Sequence, residues 1–137
     1  MKALQFEPIV DIISIKPGRL DEVKRLGVHI IFELYGCDPD TLKDKNYVEE
    51  VMLRAARESN AHAIGSFFHQ FKPHGVSGVI IIEESHLSIH TWPEHSYAAI
   101  DFFYCSDDVE PLKAMKVFSE SFKPQAIEKQ VIDRGLV

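Results

Sequence analysis

Seven histidines stand among the 137 residues: His29, His62, His69, His74, His86, His90 and His95. Imidazoles bind metals and move protons near neutral pH, so their spacing decides which chemistry is open. His86, His90, His95 and Cys105 form one candidate zinc set. Positions four apart share a face on a helix, but the neighbours here alternate like a strand, and four strand residues span about 13 Å. Zinc–ligand bonds of about 2.0–2.3 Å keep two ligands of one ion within a few ångströms of each other. His86 and His90 therefore do not chelate one ion from a straight strand, and no metal is expected. Ser85 and His90, with Glu94 or Asp101 as orienting acid, could form a nucleophile pair. Alone that trio is weak, because almost any chain of this size offers one. Gly75-Val76-Ser77-Gly78 lacks the spacing of a hydrolase elbow, and no P-loop or G-x-G-x-x-G occurs. Phe67, Phe68 and Phe71 could stack bases, although aromatics at strand spacing are more often core.

The elements that must position these residues can be read from periodicity. Ile9 to Ile15 is β-branched and stops at Pro17-Gly18, which reads as a strand and a turn. Val28 to Tyr35 is a second strand. From Asp44 to Ser59 the period changes: Val48, Val51, Met52, Ala55 and Ala56 recur as one helical stripe. Four strands follow, at Ala63 to Phe71, Val76 to Glu83, His86 to Thr91 and Tyr97 to Tyr104. Asp107 or Asp108 offers a cap for a second helix, with Pro111 in its first turn and Leu112, Met115, Phe118 and Phe122 as its buried stripe. Gln125 to Asp133 supplies a last, exposed strand. The order β-β-α-β-β-β-β-α-β fits an α+β class, a two-layer α/β sandwich with helices packed on one face of a mainly antiparallel sheet. Strand pairing stays open at this level.

Composition sets the outer bounds. Apolar residues make up 45% and charged residues 26%, ordinary for a soluble globular chain. One domain over residues 1–137 is expected, hiding roughly 68% of its unfolded surface. The formal charge of −6 argues against broad phosphate-backbone binding, so no nucleic-acid partner is expected. Val79-Ile80-Ile81-Ile82, the longest wholly aliphatic run, is far short of a membrane span. Two cysteines without CxxC spacing, and no signal-peptide core at the start, suggest a reduced cytoplasmic protein.

Glu83-Glu84-Ser85-His86-Leu87-Ser88-Ile89-His90-Thr91-Trp92-Pro93-Glu94 closely resembles the processing-site motif of the short prokaryotic S-adenosylmethionine decarboxylases. The likeness continues through Tyr97-Ala98-Ala99-Ile100-Asp101 to Cys105. Upstream, Leu26-Gly27-Val28-His29, Phe32 to Asp38 and Phe68 to Gly78 resemble the family's opening strand and central hairpin. About Leu26 to Val137 is covered, leaving Met1 to Glu22 as an amino-terminal extension. Its Ile9 to Ile15 strand is expected on the sheet edge or over a dimer seam.

That resemblance implies a self-made cofactor. The proenzyme breaks between Glu84 and Ser85 into residues 1–84 and 85–137, and Ser85 becomes a pyruvoyl group. A serine suits the position because its hydroxyl can attack the preceding carbonyl, exchanging an amide for an ester. Loss of the Ser85 α-proton then eliminates the Glu84 carboxylate, and the dehydroalanine left behind hydrolyses to pyruvoyl and ammonia. By similarity His90 accepts the α-proton, and Ser77 supports processing. The substrate amine forms a Schiff base with the pyruvoyl, which acts as the electron sink for decarboxylation. Cys105 protonates the α-carbon, Phe71 stacks on adenine and Glu94 holds the ribose hydroxyls, all as the resemblance implies. It also implies homodimers with active sites at the subunit contact, serving spermidine synthesis. Some archaeal relatives with the same motif decarboxylate arginine instead, and a non-cleaving binding or regulatory relative would keep the fold. Ser85 and His90 are five apart, so on one straight strand they face opposite sides. A strained turn at the Glu84–Ser85 bond is expected to bring them together.

Overall fold

The computed structural model describes residues 24–137. Strand β1, Arg25–Tyr35, leads through a 3₁₀ turn to helix α1, Lys45–Glu58. Four strands follow: β2, Ala63–Gln70; β3, Val76–Ile82; β4, Ser85–Trp92; and β5, Tyr97–Tyr104. Helix α2, Pro111–Phe122, and strand β6, Ala126–Leu136, complete the order. Every element expected from Val28 onward is present. The strand expected over Ile9 to Ile15 lies outside the described residues.

One six-stranded sheet runs β2-β3-β4-β5-β1-β6, with every neighbouring pair antiparallel. β1 therefore leaves its sequence neighbour β2 and enters between β5 and β6. Alternation along the strands divides the two faces. Phe32, Leu34, Ile80, Leu87, Ile89, Ile100 and Phe102 are buried on one side with the apolar stripes of both helices. The rings of Phe32 and Phe118 meet at 5.6 Å, edge to face. The opposite face carries His29, His86, Ser88, His90 and Asp101, and no helix among the described residues covers it. The α+β class and its one-sided helical layer follow as the pattern predicts.

Helix α1 matches its sequence signals closely. The Asp44 side chain accepts the Tyr47 N–H at 3.0 Å, and all five expected stripe residues are buried. Helix α2 departs from expectation in two ways. Its N-cap is Glu110, without a side-chain cap bond, rather than Asp107 or Asp108. Pro111 disfavours helical backbone in the residue before it, so the helix starts no earlier. Its buried face is Ala114, Val117, Phe118, Ser121 and Phe122, while Leu112 is 57% exposed. Phe118 and Phe122 of the expected stripe are buried and Met115 packs against the core, so the expectation fails only at Leu112 and omits Ala114, Val117 and Ser121, whose smaller side chains carry less apolar signal.

Gly78 shows how tightly the sheet is packed. It pairs with Phe68, and a Cβ there would lie 2.0 Å from Phe68 Cδ1. Gly78→Val should lower stability by about 1–3 kcal/mol by forcing Phe68 out of the core. Gly65→Ala, with no atom within 4 Å of the added carbon, is the neutral control. Urea unfolding compares them, and equal midpoints would contradict this packing.

Candidate active site

Only Glu83 and Glu84 separate β3 from β4, and the chain is held hard at that junction. Ser85 has φ +147°, a backbone state that L residues rarely adopt, at a cost of about 1–3 kcal/mol. Glu84 is 8% exposed. Its carboxylate accepts the His62 backbone N–H at 2.8 Å and lies 3.2 Å from His62 Nδ1. Its carbonyl accepts the Cys105 backbone N–H at 3.0 Å. Ser85 pairs with Tyr104, so Cys105 follows directly beyond the end of β5, beside the junction. Cys105 is an exposed free thiol, whereas Cys37 is buried and burial pushes its pKa up to about 11. Glu84, Ser85 and Cys105 thus form one group.

A second group lies at the far end of the same strands. Ser77 and His90 are register partners, with Oγ and Nδ1 2.8 Å apart. They line a cleft of about 270 Å³ together with Phe71, His74, Trp92 and Glu94. Glu94 sits on the 3₁₀ turn Pro93–His95 and pairs with His74 at 2.9 Å. Phe71 is half-exposed with its ring edge-on to His69, so it is not core. Four residues expected to process or bind therefore converge here.

The expected turn exists, but it does not carry Ser85 to His90. β4 pairs without a break with β5, from Ser85–Tyr104 to Trp92–Tyr97, and with β3, from Ile82–Ser85 to Ser77–His90. Ladder bonds on both sides keep the strand extended, so five residues set the two Cα atoms about 16 Å apart. The strain falls at Ser85 as expected; the approach within one chain does not occur. The trio drawn from Ser85, His90 and an acid fails for the same reason.

Among the described residues, His86 is the one zinc candidate that falls in a compact group of three potential ligands, with His29 and Asp101. From the sequence alone Asp101 enters only as an orienting acid for His90, and His29 and His62 have no assigned role. His29 and Asp101 lie in segments that carry the resemblance, and strand pairing brings both to His86, whereas His62 meets Glu84. His29 Nε2 lies 2.6 Å from Asp101 Oδ2, and Ser88 Oγ donates to Asp101 Oδ1. Burial opposes ionisation of Asp101, but hydrogen bonds from Ser88 and His29 and the nearby imidazoles outweigh it and hold the carboxyl below its usual range. The ionised carboxylate thus stabilises the fold above its unfolded pKa of about 3.9, and the contribution is lost as pH falls through the lower folded value. Asp101→Asn should flatten the acid limb of stability below about pH 4, measured by urea unfolding from pH 3 to 6. An unchanged slope would show that Asp101 is not held as a carboxylate.

An antiparallel sheet with one helical face, and a strained serine at a pinned glutamyl carbonyl, define a two-layer α+β protein built around a single peptide bond. The sequence pattern described as S-adenosylmethionine decarboxylase matches residues 28–135, and the chain belongs to that family. It is 46% identical over 124 residues to the S-adenosylmethionine decarboxylase proenzyme of Pseudomonas paraeruginosa, covering 90% of this chain and 78% of that protein. A match of that length extends into residues 1–22, beyond the resemblance expected from Leu26 onward. Identity to the proenzyme of Thermosipho africanus is 50% over 105 residues, 77% of this chain and 81% of that one. The crystal structure of the adenosylmethionine decarboxylase from Aquifex aeolicus superposes with a TM-score of 0.77 at 40% identity, covering 83% of this chain and 94% of that one.

Proposed function

We propose that the chain cleaves itself between Glu84 and Ser85, carries a pyruvoyl group made from Ser85, and decarboxylates S-adenosylmethionine for spermidine synthesis. The observation that carries this reading is the junction itself. Ser85 is strained in the bond it must break, and the Cys105 N–H already holds the carbonyl oxygen that gains charge when the Ser85 hydroxyl attacks. The described residues on either side of the cut, 24–84 and 85–137, then remain in one sheet, because β3 and β4 are hydrogen-bonded across it.

The residues present fit a pyruvoyl group, since Ser85 opens a strand beside the exposed Cys105 thiol. The ketone supplies an electron sink for the carbanion left by departing carbon dioxide. Cys105 returns a proton to the α-carbon. Phe71 offers a half-exposed face to adenine, and Glu94 offers a carboxylate to the ribose hydroxyls, with His74 orienting it. His90, positioned by Ser77, takes the Ser85 α-proton during processing. Two free cysteines suit a reducing, cytoplasmic setting. Among the described residues no helix is long and apolar enough to cross a membrane.

Because about 16 Å separates Ser85 from His90 in one chain, the complete site needs a second copy. The uncovered sheet face supports one: Phe67 is 70% and Ile81 49% exposed on it. A two-fold axis crossing the middle of β4 presents His90 of one copy toward Ser85 of the other, and does so twice. The homodimer thus closes two equal sites.

Intact-mass measurement should find two fragments split before residue 85, and a single uncut chain would remove the cofactor. The purified protein should release carbon dioxide from S-adenosylmethionine; release from arginine alone would overturn the substrate assignment. Ser85→Ala and His90→Ala should each stay unprocessed when expressed singly. Coexpressed, the Ser85→Ala chain supplies His90, and a share of the His90→Ala chains should be cut. No cut in the mixture would refute the shared site.

A further inference from the structure

His86 lies on the carboxyl side of the scissile bond, and neither the family motif as read above nor the mechanism gives it a task. Its Nδ1 is 3.5 Å from Ser85 Oγ, and its Nε2 is 3.5 Å from Asp101 Oδ2. The proton on each ring can be assigned from its neighbours. Arg134 Nη1 donates to His29 Nδ1 at 2.9 Å, so the His29 proton sits on Nε2 and is given to Asp101. Asp101, which also accepts from Ser88, is an acceptor only when ionised. An imidazole facing that carboxylate through Nε2 carries its proton there, which leaves the Nδ1 lone pair toward Ser85. The Arg134 guanidinium against His29 makes the same trio a poor cation site.

We propose that His86 is the base that takes the hydroxyl proton of Ser85 in the first step of self-cleavage, with Asp101 and His29 as positioning residues. The inference rests on the self-cleavage reading and deepens it by separating two proton transfers. As the Oγ–C bond to the Glu84 carbonyl forms, the Ser85 hydroxyl proton moves to His86 Nδ1. When the Glu84–Ser85 C–N bond breaks, that proton passes to the leaving nitrogen, which becomes the free amine of an ester, so no proton is gained or lost. The charge that builds on the Glu84 oxygen between these events faces the Cys105 N–H. His90 acts only afterwards, on the α-proton. Separations of 3.5 Å are long for hydrogen bonds, and contacts of this kind tighten as the attack begins.

The experiment follows fragment formation in freshly translated full-length chain and adds hydroxylamine, which cuts esters but not amides. In His90→Ala, hydroxylamine should release a fragment beginning at Ser85, because the ester has formed and waits. His86→Gln should cut at least about 100-fold more slowly than wild type and yield nothing to hydroxylamine. Added imidazole should restore cutting to His86→Gly, a response that a merely structural side chain does not give. Asp101→Asn should slow wild-type processing yet add no further loss to His86→Gln. Cutting of His86→Gln at the wild-type rate would overturn the proposal. So would an ester trapped in that variant, or a His86→Gly chain that imidazole does not rescue. A wild-type chain that never cuts would instead sink the self-cleavage reading, and the His86 role with it.

Discussion

The backbone amide of Cys105 donates to the carbonyl of Glu84, joining the end of β5 to the approach of β4. That bond holds one side of the peptide on which everything else acts. On the other side Ser85 is forced to φ +147° because β4 must begin there, paired with Tyr104 and Ile82. The Glu84 side chain is held as well, its carboxylate accepting the His62 backbone N–H. Strain, polarisation and a nucleophile are thus concentrated within two residues. The proposed cleavage of this bond would release the strain without dismantling the sheet.

The sheet has one face covered by helices and one left open among the described residues. Helices α1 and α2 cover the first, where phenylalanines and aliphatics interlock. On the second, histidines, serines and Asp101 alternate with exposed apolar side chains such as Phe67 and Ile81. Apolar surface of this kind gains from burial against another surface, and a polar cluster beside it gains from a drier setting that strengthens its hydrogen bonds. The proposed second copy would meet both needs. The straightness of β4 keeps the two ends of the strand apart, which is what the proposed dimer requires.

Within that face, Asp101 stays ionised although partly buried, because Ser88 and His29 donate to it and His86 stands beside it. Each donor comes from a different position in the register: Ser88 lies opposite Asp101 on β4, and His29 is two residues from its partner on β1. Antiparallel pairing is therefore what turns scattered polar residues into one network.

Periodicity alone delivers the element order, the α1 face and the α+β class, because amphipathic spacing and turn residues are local properties of the chain. The motif from Glu83 to Glu94, with Cys105 beyond it, points to the family and to the bond at Ser85, since rare residue types in fixed order survive without any knowledge of pairing. On α2 periodicity finds Phe118 and Phe122 but not Ala114, Val117 and Ser121, because small buried residues carry little apolar signal. The placing of β1 between β5 and β6 escapes it too, because pairing across many residues leaves no local signature. Two consequences belong to tertiary structure alone. Ladder bonds on both edges of β4 keep His90 away from Ser85, and the registers of β1 and β5 bring His29 and Asp101 to His86.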